Sequence, residues 1–128
     1  MAIGGLGTDL VRVARFRRFL EEGKENLLAR LFTPAERDYA MTKRDPAPHL
    51  AARFAAKESF SKALGTGFRE GLSWREIEVV HDPLGKPELV LSGRAAEMFE
   101  ERGLSSLQLS LSHDGEYALA VVVAERRE

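Results

Sequence analysis

The chain contains no cysteine, which excludes disulfide bridges and thiolate metal ligation and suits a reducing compartment. No apolar run approaches the roughly 20 residues needed to cross a bilayer. The opening MAIGGLGTDL has no basic stretch leading into a long apolar segment, so no signal peptide is expected and the cytoplasm is the expected location. Charge of one sign is also missing. Nineteen basic residues against 20 acidic ones leave a net charge of -1, so no global field draws the protein to nucleic acid or membrane, and an acidic or basic partner must be met by a local patch. Internal repeats, low-complexity tracts and linkers are absent as well. What remains is 128 residues with 44% apolar content, enough for one core, and we expect a single domain over residues 1–128.

The pattern along the chain is α+β. Residues 2–10 alternate small and apolar side chains around three glycines and predict a buried strand ending at Thr8-Asp9. Helices are expected over 12–22 and 24–31, broken near Gly23. Thr33-Pro34-Ala35-Glu36 is a helix start, with Thr33 capping, Pro34 in the first turn and Glu36 closing a capping box. Asp45-Pro46 repeats that signal and opens a long helix to about Leu64. Strands are expected at 77–80 and 89–91 around DPLGKP, and Ser92 should cap a helix that Gly103 stops. Leu107, Leu109 and Leu111 alternate with polar residues before Asp114-Gly115, and 117–124 returns as an apolar strand, which predicts an antiparallel hairpin.

The long helix carries the densest chemistry, in RFAAKESFSKALGTG at 53–67. Ala52, Ala56, Ser59, Phe60 and Ala63 share one uncharged side that must pack against protein. Lys57, Glu58, Ser61 and Lys62 are expected on the remaining circumference, and Gly65-Thr66-Gly67 ends the helix where backbone can approach a ligand. Asp9 and Glu58, from distant segments with lysines nearby, form a donor set suited to Mg2+, which takes oxygen ligands and keeps room for water and phosphate. The lysines would neutralise further phosphate charge. Each residue also has a plain packing role available. Asp9 could cap a helix starting near Val11, Glu58 could pair with Lys62 four residues on, Gly65 could be a C-cap, and His113 could be a surface turn histidine.

A second feature is basic. Arg12, Arg15, Arg17 and Arg18 fall in a stretch without acids, with Arg12, Arg15 and Arg18 on a three-residue ridge and Val13, Phe16, Phe19 and Leu20 supplying the buried face. A solvated helix face would explain them. In a slightly acidic chain they also form a local exception that could steer an acidic protein surface, whereas no nucleic-acid-binding signature accompanies them.

Taken together, GLGTDLVRVARF at 5–16, FTPAE at 32–36, RFAAKESFSKALGTG at 53–67, LGKP at 84–87 and LSLSHDGEYALA at 109–120 resemble the small, single-half 4'-phosphopantetheinyl transferase family typified by holo-acyl-carrier-protein synthase. The segments lie in the family's order along the chain. The resemblance implies a 4'-phosphopantetheinyl transferase-like α+β fold, an antiparallel sheet with a long central helix, assembled as a homotrimer with sites at subunit interfaces. It implies an enzyme that moves the 4'-phosphopantetheine arm of coenzyme A to a serine of apo-acyl carrier protein, releasing adenosine 3',5'-bisphosphate. By position, Asp9 and Glu58 match the magnesium-binding carboxylates and Lys62 the lysine near the pyrophosphate. Lys57, Ser61, Gly65 and Thr66 fall in the coenzyme-lining segment, and His113 matches a position that in some members contacts the coenzyme from a neighbouring subunit. Arg15 lies on the helix that docks the carrier, and Arg12 and Arg18 extend that surface by geometry. The base that takes the serine proton stays open among a metal-bound water, Glu58 and Asp9. A magnesium-dependent nucleotide pyrophosphate hydrolase would use the same carboxylates without the arginines. A non-catalytic adaptor for an acidic partner would use only the arginines.

Overall fold

A computed structural model of the chain describes residues 2–127. Strand β1 (Ala2–Arg12) leads into helices α1 (Val13–Glu21), α2 (Glu25–Leu31), α3 (Pro34–Met41) and α4 (Pro46–Leu64). A short 3-10 turn at Trp74–Glu76 then precedes β2 (Ile77–His81), β3 (Pro87–Leu91), α5 (Gly93–Glu101), β4 (Leu104–Asp114) and β5 (Tyr117–Arg126). The main sheet is antiparallel in the order β1-β5-β4, and β2-β3 is a separate antiparallel hairpin. The α+β expectation, the antiparallel sheet and the central helix all hold.

The alternation of β5 explains the layering. Ala118, Ala120, Val122 and Ala124 are fully buried beneath α4, while Tyr117 and Leu119 point to the other, open face. On β1 the same inward face carries Gly5, Gly7, Asp9 and Val11, since these pair with Ala124, Val122, Ala120 and Ala118. The two glycines let α4 lie directly on the strand. A Cβ at Gly7 would sit 1.8 Å from the Ser59 carbonyl oxygen, and one at Gly5 would sit 2.1 Å from that of Ala63. Both obstacles are helix backbone, so no rotamer change relieves them.

Strand β1 runs on to Arg12, so Asp9 sits inside the strand, paired with Ala120, and caps no helix. Helix α1 therefore starts one residue after Arg12, which is its N-cap and not a member of a helical ridge. The Val13 amide donates to the Glu116 carbonyl at 2.8 Å, tying the arginine helix to the tip of the β4–β5 hairpin. Phe16, fully buried, fixes the other side of α1 through edge contacts with Phe19 and Phe32 and a tilted contact with Phe54. Burial of such a ring contributes about 1.5–3 kcal/mol.

Helix α3 begins with the expected capping box: Glu36 N donates to Thr33 Oγ1 at 3.2 Å and Thr33 N to Glu36 Oε1 at 2.9 Å. The other two cap assignments fail because better partners exist. Asp45 makes no side-chain cap and instead pairs with Arg17, Nη1 to Oδ1 at 2.7 Å. Ser92 caps nothing with its hydroxyl, and the Glu76 carboxylate takes the first-turn amide of Arg94 at 3.1 Å.

Adding a methyl at Gly7 tests the close approach. Gly7→Ala is expected to destabilise the fold by about 1–3 kcal/mol or more, as overpacking against fixed backbone does. Urea denaturation would read this as a lowered midpoint, and an unchanged midpoint would contradict the contact.

Candidate active site

Helix α4 is wrapped by protein on nearly every side, against the expectation of one buried face. Ala52, Ala56, Ser59, Phe60 and Ala63 are buried as foreseen, but so are Arg53, Lys57 and Ser61. Lys57 is the main correction. Its ammonium has no exposure, donates to Glu36 Oε1 at 2.6 Å and to the Trp74 carbonyl at 3.0 Å, and faces the protein interior. Burial pulls its pKa down, while the Glu36 carboxylate opposes that shift. Glu36 completes its set by accepting Val79 N at 2.9 Å, so one buried carboxylate joins α3, α4 and β2. Removing one partner of such a pair typically costs about 3–5 kcal/mol, because the other charge is stranded. Ser61 is likewise turned inward, its hydroxyl donating to the Glu58 carbonyl at 2.7 Å.

Two side chains of the motif remain available, and they face Asp9. Lys62 Nζ donates to Asp9 Oδ1 at 2.9 Å and to the Thr8 carbonyl at 3.1 Å, reaching across to β1 instead of back to Glu58. Glu58 is half-buried, and its pKa is raised, first by burial and then by the negative charge of Asp9. Asp9 and Glu58 thus meet where α4 crosses β1, with Lys62 beside them. Just beyond, Gly65 takes the left-handed conformation (φ 81°) as C-cap, and the Thr66 and Gly67 amides return to the Ser61 carbonyl at 3.4 and 3.3 Å. No atom of the described residues lies within 4 Å of where a Gly65 Cβ would stand, so the backbone of this turn is open to a ligand.

The donor chemistry fits a hard divalent cation. Two carboxylates repel each other in a partly enclosed site, and one of them holds its proton more tightly as a result, an imbalance that a cation between them would relieve. Among the described residues no three His, Asp, Glu or Cys side chains gather as a metal cluster. A site with only two protein ligands would leave most positions to water and phosphate oxygens.

His113 does not join these residues within one chain. It lies on β4, two strands from β1 and about 10 Å away laterally. Its ring meets His49 at 5.6 Å, at the edge of a cluster that sequence reading missed. There Tyr39 stacks on His81 at 4.7 Å and lies beneath the Arg53 guanidinium at 4.2 Å and the Lys43 ammonium at 4.6 Å. The buried Arg53 Nε has no hydrogen-bond partner among the described residues. Burial, then the Arg53 cation, lowers the pKa of both His49 and His81 and so favours their neutral rings. All three histidines of the chain collect here, a signal that becomes readable only once α3, α4, β2 and β4 are placed together.

The arginines form a surface as expected. Arg12, Arg15 and Arg18 line one open groove of about 440 Å³ with Leu10, Val11 and Ala14. The Arg12 guanidinium lies over the Tyr117 ring at 5.3 Å and that of Arg15 over Phe54 at 5.0 Å, so aromatic faces position both charges. Arg15 also lies near enough for its charge to act on Glu58, so the groove adjoins the carboxylates.

The sign of the Glu58 shift yields a test. A raised carboxyl pKa in the folded chain means that neutral Glu58 contributes stability below its ordinary pKa, and that the contribution is lost as pH rises through the raised value. In chelator, Glu58→Gln should melt with the parent in acid and above it at about pH 8, where the parent carries the penalised charge. Equal melting temperatures at both pH values would contradict the shift.

The family of the chain follows from comparison with known proteins. The sequence profile of the 4'-phosphopantetheinyl transferase superfamily matches residues 5–122. The holo-[acyl-carrier-protein] synthase of Syntrophotalea carbinolica is 61% identical over 123 residues, 96% of either chain. Among solved structures, the synthase of Neisseria meningitidis superposes with a TM-score of 0.86 at 42% identity, covering 97% of this chain and 99% of that one. The Helicobacter pylori synthase, in complex with coenzyme A, does so at 0.82 and 33% identity, covering 94% and 99%. This chain belongs to the 4'-phosphopantetheinyl transferase superfamily, among its holo-[acyl-carrier-protein] synthases.

Proposed function

We propose that this protein transfers 4'-phosphopantetheine from coenzyme A to a serine of apo-acyl carrier protein in a magnesium-dependent reaction, releasing adenosine 3',5'-bisphosphate. The observation that carries the reading is the meeting of Asp9, Glu58 and Lys62 at the crossing of α4 and β1. Mg2+ held by Asp9 and Glu58 would neutralise charge developing on the pyrophosphate as the serine oxygen attacks its β-phosphorus. Lys62, half-exposed, supplies a mobile ammonium to the departing phosphate. Gly65 and Thr66 offer open backbone beside it. Lys57 and Ser61 hold the helix in place from within.

The carrier's acidic surface would dock in the groove of Arg12, Arg15 and Arg18, next to the carboxylates. The open face of the sheet supports self-association, since Leu6 (63% exposed), Leu10 (61% exposed), Leu119 and Tyr117 all stand exposed on it among the described residues. A homotrimer through this face would let His113, remote from Asp9 in its own chain, serve a neighbour's site, with the cationic cluster around Tyr39 receiving coenzyme phosphate. No helix of the described residues is long and apolar enough to cross a membrane, and we place the reaction in the cytoplasm.

Intact-mass measurement of an apo-acyl carrier protein incubated with the protein, coenzyme A and Mg2+ tests the reading. One added phosphopantetheine is expected, abolished by chelator and slowed about 100-fold or more by Asp9→Asn or Glu58→Gln. Arg15→Glu should raise the KM for the carrier much more than that for coenzyme A. Absence of any mass gain across several apo-carriers, with coenzyme A still bound, would refute the transferase.

A further inference from the structure

Lys62 occupies one oxygen of the carboxylate that a cation would need. Its Nζ lies 2.9 Å from Asp9 Oδ1, in a pair whose side chains are 51% and 17% exposed respectively. The aspartate is therefore the enclosed partner and the lysine the free one. A divalent cation arriving alone must either displace this ammonium from Oδ1, leaving it the Thr8 carbonyl, or bind Oδ2 beside its charge. Either way the lysine charge faces a dication with only water as a new partner, because Glu58, the other carboxylate at the crossing, is on that reading a ligand too. A pyrophosphate changes that balance. Its oxygens give the ammonium a place to go, so the lysine can leave Asp9 at no loss of hydrogen bonding.

We propose that Lys62 is an exchangeable counter-ion that holds Asp9 closed to divalent cations until a pyrophosphate-bearing ligand draws it away, so that cation and coenzyme A bind cooperatively. The proposal rests on the reading of Asp9 and Glu58 as cation ligands and adds an order to it: cation alone binds weakly, and each ligand tightens the other by the same factor. It also gives Lys62 two roles in one cycle. The same side chain that guards the empty site becomes the phosphate contact of the filled one. Its exposure and its flexible four-carbon stem make the swing cheap, whereas the buried Lys57, five residues earlier and locked to Glu36, could not make it.

Manganese titration of the whole protein without carrier, read by the electron paramagnetic resonance signal of free Mn2+, tests this directly. The titration is run with and without coenzyme A and corrected for manganese held by coenzyme A alone. In the parent protein, coenzyme A is expected to tighten manganese binding about tenfold or more, within the usual range of such couplings. Lys62→Gln should bind manganese several-fold more tightly than the parent in the absence of coenzyme A, and the enhancement by coenzyme A should shrink by a similar factor. A generic loss of positive charge would instead shift both constants together. If Lys62→Gln leaves the coenzyme-free constant unchanged, or moves both constants equally, the exchange is overturned while the cation site stands. If neither protein binds manganese even with coenzyme A, the cation reading of Asp9 and Glu58 falls, and the exchange with it.

Discussion

The contact between helix α4 and strand β1 is made backbone to backbone, and the rest of the molecule is arranged around it. Gly5 and Gly7 leave the inward face of β1 bare, so the Ser59 and Ala63 carbonyls settle onto the strand itself. With side chains between them, helix and sheet would stand about 10 Å apart, as packed layers generally do. At the closer distance a strand residue one pleat further on, Asp9, falls within reach of Lys62 and within electrostatic range of Glu58. Structure and chemistry thus share a cause. The glycines carry no functional group, yet they determine whether two carboxylates from separate elements, β1 and α4, can meet.

A second constraint keeps the helix from rotating about that contact. Lys57 and Lys62 are five residues apart, which turns them about 140° around the axis. One points into the interior, where Glu36 binds it together with the Thr33 and Val79 amides, and the other points to β1. The buried pair sets the azimuth at which Glu58, its immediate neighbour in sequence, emerges at the crossing. A charged network in the core is an expensive way to hold a helix, and apolar packing could supply comparable stability. What the network adds is a single rotational setting, and that is what a two-carboxylate site requires.

Much of this was legible in the residues. The Thr33–Glu36 capping box, the Asp114-Gly115 hairpin, the Gly65 helix stop and the strand alternation of β4 and β5 are local signals whose partners lie within a few positions, and all are present. Asp9, Glu58 and Lys62 were identifiable as candidates by their joint occurrence and by the family resemblance, since each alone also had a plain structural role available. The exposure of Lys57 and Ser61 was misjudged because helical periodicity assumes one buried face, whereas α4 is enclosed by strands on one side and by α1, α3 and β2 on others. Asp45 and Ser92 read as caps because a cap is the default local partner, and distant Arg17 and Glu76 took precedence. The cluster around Tyr39 was invisible for a related reason: its members come from four elements and carry no common spacing.

The central claim is that the α4–β1 crossing is where a cation and the coenzyme's pyrophosphate are held together. The most direct measurement is anomalous diffraction from crystals grown with Mn2+ and coenzyme A. The account predicts a manganese peak bound by the Asp9 and Glu58 carboxylates, with Lys62 Nζ moved from Asp9 to a phosphate oxygen. A coenzyme bound with its pyrophosphate remote from Asp9, or manganese held by other residues while Asp9 stays paired with Lys62, would contradict it.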